Sequence, residues 1–218
     1  MRIKLGWPAT LREPSLLAKP VVLRPYRVTD ARAWREIRVR NAQWLRRWEM
    51  TDPESPRYPS TLKSYMAILA AMRRDALLGH ALSWAITFGD ELVGHASLGG
   101  IVWGSDRTGL LGTWVDEKFA RHGIGSLAAA MVVDHGFQDV GLHRIVASVQ
   151  PENTASRQGV EKYFREEGLL VRQSYVDGEW RDHLCYALTA EEVPPGGYVA
   201  LFRSVAATSK PGAPLAMT

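Results

Sequence analysis

The chain has 218 residues, 46% of them hydrophobic and 23% charged, with a net charge of +4. This is the balance of a soluble globular protein with one domain plus short appendages. A single cysteine, Cys185, excludes an intrachain disulfide and favours a reducing compartment. The N-terminal stretch is broken by prolines and has the makings of neither a signal peptide nor a membrane span, so a cytoplasmic protein is expected.

In chain order, Val21–Arg27 (VVLRPYR) reads as a first strand. The segment from Thr29 to Trp48 reads as one broken helix or two short ones, with Thr29 or Asp30 as the N-cap. Thr51–Ser60 holds three prolines and reads as a loop. Thr61–Leu78 repeats apolar residues at three and four (Leu62, Tyr65, Met66, Leu69, Met72), which predicts a helix. Two strands joined by a Gly89-Asp90 turn follow, and then a strand over Leu110–Asp116. Gly123 to about Asp139 is helical. His143–Gln150 is a strand, and Asn153 caps another helix. A hairpin then turns at Asp177-Gly178. The tail from Pro194 is rich in proline, alanine and serine and reads as loose, with one alternative: YVALFRSV packs on the body or on a partner. The domain division expected is an N-terminal extension (1–19), a body (20–192) and a C-terminal tail (193–218).

The most informative stretch is Arg121-His122-Gly123-Ile124-Gly125-Ser126, a charged loop and two glycines opening a helix. Gly123 to Ala128 formally fits the dinucleotide pattern G-x-G-x-x-A, but seven residues separate it from the preceding strand, where a dinucleotide fold has a direct turn. No G-K-[ST] follows, so the phosphate loop of the nucleoside triphosphatases does not fit either. Unpaired amides and a positive dipole at a helix N-terminus suit a pyrophosphate, and glycines let it approach.

The order of strand, glycine loop, helix, strand and Asn153-capped helix resembles the GCN5-related N-acetyltransferases, the GNAT superfamily. Their signature [QR]-x-x-G-x-[GA] is met at the glycines, with Ala120 at its first position and Arg121 one place nearer. Within that superfamily, LGTWVDEKFARHGIGS, HRIVASVQPENTASRQGVEK and EEGLLVRQSYVDGEWRDHLCYAL look like the ribosomal-protein N-terminal acetyltransferases of the RimJ/RimL type, the likeness spanning roughly Val21 to Leu188.

The resemblance implies an α+β fold: a strongly twisted, mixed, mostly antiparallel sheet flanked by helices, with two parallel central strands that splay. Acetyl-CoA is the implied co-substrate, without a metal. The implied coenzyme contacts are Trp114, Val115, Arg121, His122, Gly123, Ile124, Gly125, Ser126 and Asn153. Asn41, Trp44, Trp48 and Glu49 are implied at the acceptor, a protein N-terminus, here that of a ribosomal protein beginning with Ala or Ser. No membrane or nucleic-acid role is implied, and a homodimer is left open. Many relatives supply the leaving thiolate's proton from a tyrosine seven residues after the capping Asn; here that position is Val160, and Ser156 stands where the Rim type has a serine. Ser174 stands where the Rim type has its basic glutamate. The usual E-K-x-G-F is shortened to Glu161-Lys162-Tyr163-Phe164, without the glycine that ends the helix. Two other readings stay open: acetylation of a small amine such as an antibiotic or polyamine, and a non-catalytic acetyl-CoA-binding module.

Overall fold

The computed structural model describes residues 7–54 and 61–208. Eight strands form one sheet in the order β1-β2-β3-β4-β5-β6-β8-β7. They are β1 (Leu11–Glu13), β2 (Val21–Arg24), β3 (Leu82–Phe88), β4 (Glu91–Val102), β5 (Thr108–Val115), β6 (Arg144–Val149), β7 (Arg165–Val176) and β8 (Glu179–Thr189). Every pairing is antiparallel except β5 with β6, a parallel pair whose connection crosses over through the helix Ile124–His135.

Helices cover both faces. α1 (Ala31–Arg40), α2 (Ala42–Arg46) and α3 (Leu62–Leu78) lie on one side; α4 (Ile124–His135), α5 (Thr154–Val160) and α6 (Gly197–Thr208) belong to the other. Under α1 and α3, Trp34, Ile37, Tyr65 and Leu69 pack with Tyr26, Ala85 and Leu92. Under α4, Ile124, Leu127, Met131 and Val132 join Trp84, Ile86, Leu98 and Ile145. Full burial of each such aliphatic or aromatic side chain contributes about 1.5–3 kcal/mol.

α3 begins where the sequence places it. Thr61 Oγ1 accepts the Ser64 N–H at 3.1 Å, and Ser64 Oγ accepts the Thr61 N–H at 2.9 Å. Gly79 ends the helix in the left-handed conformation, φ 73°. The expected loop 51–60 is described only to residue 54; the rest lies outside the described residues.

Several expectations are corrected. The strand read as Val21–Arg27 stops at Arg24, before Pro25, and a 3-10 turn fills Val28–Asp30. Asp30 occupies the N-cap position of α1, but its side chain makes no cap hydrogen bond there. Its carboxylate turns back to the Arg27 N–H at 2.7 Å and takes the Arg24 guanidinium on both oxygens. Within the stretch expected as an N-terminal extension, Leu11–Glu13 extends the sheet along β2, and Trp7 packs edge-on against Trp84 at 5.2 Å. α5 ends at Val160 without a left-handed residue: the N–H groups of Tyr163 and Phe164 both bond the Val160 carbonyl.

Of the two readings of the tail, packing on the body holds through Thr208. α6 packs on α4 and buries Tyr198 and Phe202. Its start is held from outside the helix, since Asp134 accepts the N–H groups of Tyr198 at 2.7 Å and Val199 at 2.9 Å. Gly197 is required there: φ is 82°, and a Cβ would lie 2.6 Å from Asp134 Oδ1. Asp134→Ala is therefore expected to speed hydrogen exchange across α6 roughly tenfold, equivalent to about 1.4 kcal/mol of lost capping. Unchanged protection of α6 would contradict this cap. Among the described residues, no helix is long and apolar enough to cross a membrane.

Candidate active site

The parallel ladder between β5 and β6 runs only from Thr108↔Arg144 to Leu111↔Ala147. Beyond it, β5 stays with β4 as far as Val115↔Gly94, while β6 stays with β8 as far as Val149↔Leu184. The two strands therefore part, and the edge of β5 over Gly112–Val115 turns unpaired backbone groups into the gap. A cleft of about 980 Å³ occupies this opening and runs from the start of α4 to the α2 region.

At one end lies the glycine loop. Arg121 (φ 63°) and Gly123 (φ 76°) are both left-handed, which turns the chain sharply into α4. The first intrahelical bond is Leu127 N–H to the Gly123 carbonyl. The N–H groups of Ile124, Gly125 and Ser126 therefore have no partner within the helix, and they point toward the cleft mouth at the positive end of the dipole. Arg121, Gly123, Ile124, Gly125 and Ser126 line the cleft. His122 does not: it is exposed, with Nδ1 2.8 Å from the Ala120 carbonyl. The two glycines also differ in purpose. Gly123 supplies the left-handed turn, whereas a Cβ on Gly125 would meet Val115 Cγ2 at 3.4 Å. That is an ordinary van der Waals distance, so packing on β5 does not by itself require a glycine at position 125.

Trp114 and Val115 line the gap from β5, and Asn153 and Ser156 from the start of α5. Asn153 Oδ1 accepts the Ser156 N–H at 3.2 Å, which caps α5 and leaves the exposed Ser156 hydroxyl on the cleft wall.

At the other end are Trp44, Trp48 and Glu49. Glu49 is not a free carboxylate, because Arg38 donates to both its oxygens at 2.8 and 2.7 Å. The Arg38 guanidinium also lies 5.7 Å from the centre of the Trp114 ring, a cation–π distance. Asn41 does not line the cleft. It is 1% exposed, donates to the Ile37 carbonyl and Asp116 Oδ1 at 2.9 Å each, and accepts the Glu117 N–H. Its amide joins the α1–α2 junction to the end of β5. Ser174 pairs with Arg181 on the β7–β8 hairpin and does not line the cleft.

Two histidines on the wall escaped the sequence reading. His95 on β4 stacks on Trp114 and has Nδ1 3.2 Å from Tyr26 Oη. Burial, with help from the Arg38 charge, pushes its pKa down to about 4, so the ring is neutral at pH 7. His183 on β8 is 1% exposed. Neither sits in a local motif; only the strand register brings them to the splay. Tyr163 and Tyr198 also line the cleft.

A family model described as an acetyltransferase (GNAT) domain matches residues 21–163. The chain belongs to the GNAT acetyltransferase family. As a GNAT enzyme it is an acetyl-CoA-dependent N-acetyltransferase, and the splayed strands, the unpaired β5 edge and the open amides of α4 fit that thioester. Among similar proteins, the uS5-alanine N-acetyltransferase of Escherichia coli is 28% identical over 174 residues, covering 78% of this chain and 88% of that protein. The probable N-acetyltransferase YjcK of Bacillus subtilis is 28% identical over 175 residues, covering 79% and 96%. Among solved structures, RimJ of Mycobacterium smegmatis in complex with CoA-disulfide superposes with a TM-score of 0.83 at 40% identity, covering 93% of this chain and 96% of that one. This GNAT enzyme thus shares its fold and most of its length with a RimJ.

Proposed function

We propose that this enzyme acetylates the α-amine of a protein N-terminus, that of a ribosomal protein beginning with Ala or Ser. The observation that carries the reading is the acceptor end of the cleft. It runs out to the surface past Trp44, 38% exposed, and Met50, 43% exposed, as a peptide requires. Its carboxylate, Glu49, is already neutralised by Arg38, so it is no acidic pocket for a polyamine or aminoglycoside. The named relatives support the same class: one acts on uS5 alanine and another is a RimJ.

In this reading the α4 amides of Ile124, Gly125 and Ser126, with Arg121 and the Gly123 turn, bind the pyrophosphate. The β5 edge at Trp114 and Val115 pairs with the pantetheine amides, and Asn153 supports the α5 side of the coenzyme. The neutral amine attacks the thioester carbonyl carbon and a C–N bond forms. The tetrahedral oxyanion then collapses, breaking the C–S bond. Ser156 gives the departing thiolate its proton, directly or through water. Trp44 and Trp48 narrow the space beside the first residue, which favours small side chains.

The test is incubation with acetyl-CoA and a panel of N-terminal peptides, aminoglycosides and polyamines, reading released thiol. Turnover on peptides beginning with Ala or Ser is expected. Turnover on polyamines or aminoglycosides alone would overturn the acceptor assignment, and none on any amine would favour a coenzyme-binding module.

A further inference from the structure

Attack by an amine leaves a proton on nitrogen that must go to a base, and the position of the family's glutamate is Ser174, off the cleft. The cleft wall offers few other candidates. Glu49 is held on both oxygens by Arg38. Glu117 and Glu152 sit beside the glycine loop and the start of α5, at the coenzyme end. His95 has its Nδ1 against the Tyr26 hydroxyl, and burial beside Arg38 weakens it as a base.

His183 differs in its tautomer. Its Nδ1 lies 3.1 Å from the backbone carbonyl of Arg181. A carbonyl oxygen only accepts, so the proton resides on Nδ1 and Nε2 holds the ring's lone pair. The ring is 1% exposed and forms part of the cleft wall, fixed by β8 two residues beyond the Arg181 carbonyl. Val149 pairs with Leu184, next to His183, so the adjacent strand continues into Gln150, whose Nε2 donates to the Arg47 carbonyl at 3.1 Å. That is the α2 end of the cleft, where Trp44 and Trp48 also stand. A buried imidazole with one nitrogen tied to a carbonyl and its lone pair oriented is the arrangement of a general base.

We infer that His183 is the catalytic base: its Nε2 takes the proton from the attacking amine as the C–N bond forms, while the thiolate leaving carbon is protonated separately. The inference rests on the acetyl-transfer reading above and completes its proton balance, since the amine loses one proton and the thiolate gains one. After turnover the imidazolium returns its proton to solvent through the open cleft.

The experiment compares His183→Gln, which keeps the volume, His183→Ala, which leaves room for a free imidazole, and His95→Gln. Each is assayed with the amine that the wild type accepts best, so a wrong acceptor class overturns the earlier reading and not this one. Both His183 variants are expected to lose a factor of roughly 10² to 10⁴ in kcat, with acetyl-CoA affinity by calorimetry unchanged. Added imidazole should restore much of the His183→Ala rate and leave His183→Gln slow. A wild-type rate in His183→Gln, a loss that imidazole does not relieve, a parallel loss of acetyl-CoA affinity, or a large loss confined to His95→Gln would each overturn the assignment.

Discussion

Ser156→Ala is expected to lower kcat by a factor of roughly 10² to 10⁴ while acetyl-CoA binds as before. The backbone N–H of Ser156 is engaged by Asn153 Oδ1, so the α5 cap survives the substitution. Only the exposed hydroxyl on the cleft wall is removed. Val160 stands where many GNAT enzymes have a tyrosine and cannot substitute for it. Tyr163 is the proper control. It also lines the cleft, and burial raises the pKa of its phenol, which keeps the proton on it at neutral pH. Under conditions where chemistry limits the rate, a full-rate Ser156→Ala together with a slow Tyr163→Phe would transfer the role to the tyrosine.

Asp116→Ala is expected to cost about 3 kcal/mol of stability, the low end of what removing one partner of a buried ion pair costs. The Asp116 side chain is 1% exposed and holds Arg40, the Asn41 amide at 2.9 Å and the Lys118 N–H at 3.3 Å. Arg40 is 47% exposed and can rehydrate, which keeps the cost from rising further. Burial alone would raise the Asp116 pKa; the Arg40 and Asn41 hydrogen bonds outweigh it and hold the carboxyl below its usual range. The stabilisation is therefore fully present above the unfolded value near 3.9, and it is lost as pH falls through the lower folded value. Urea melts over a pH series check this. The wild type should lose an acid-limb contribution that Asp116→Ala lacks, and equal midpoints at pH 7 would contradict the account. Because Asp116 directly precedes the turn into the glycine loop, the variant should also bind acetyl-CoA less tightly.

The sequence was most legible where the cause of a structure is local. The Thr61 cap with its apolar spacing, the Gly89-Asp90 and Asp177-Gly178 turns, and the loop ending in Gly123 each carry their own instruction within a few residues. What escaped is nonlocal. β1 is three residues, Leu-Arg-Glu, and exists because β2 offers an edge. α6 starts where a carboxylate on α4 accepts its first amides, and that cap is invisible within the tail, where YVALFRSV shows only a segment able to pack. The resemblance implies Asn41 and Glu49 at the acceptor; Asn41 is instead engaged by Asp116, far along the chain, while Glu49 lines the cleft with its carboxylate held by Arg38. His183 shows the same limit, since only the register of β6 on β8 brings it to the splay.

The measurement closest to the central claim uses one peptide that carries both a free N-terminal alanine and an internal lysine. With an α-amine pKa near 8, roughly a tenth is neutral at pH 7, against about 0.04% for a lysine near 10.4. Mass spectrometry after incubation with acetyl-CoA should place the acetyl group on the N-terminus, with the lysine unmodified and the rate climbing toward pH 8. Acetyl found mainly on the lysine would contradict the account.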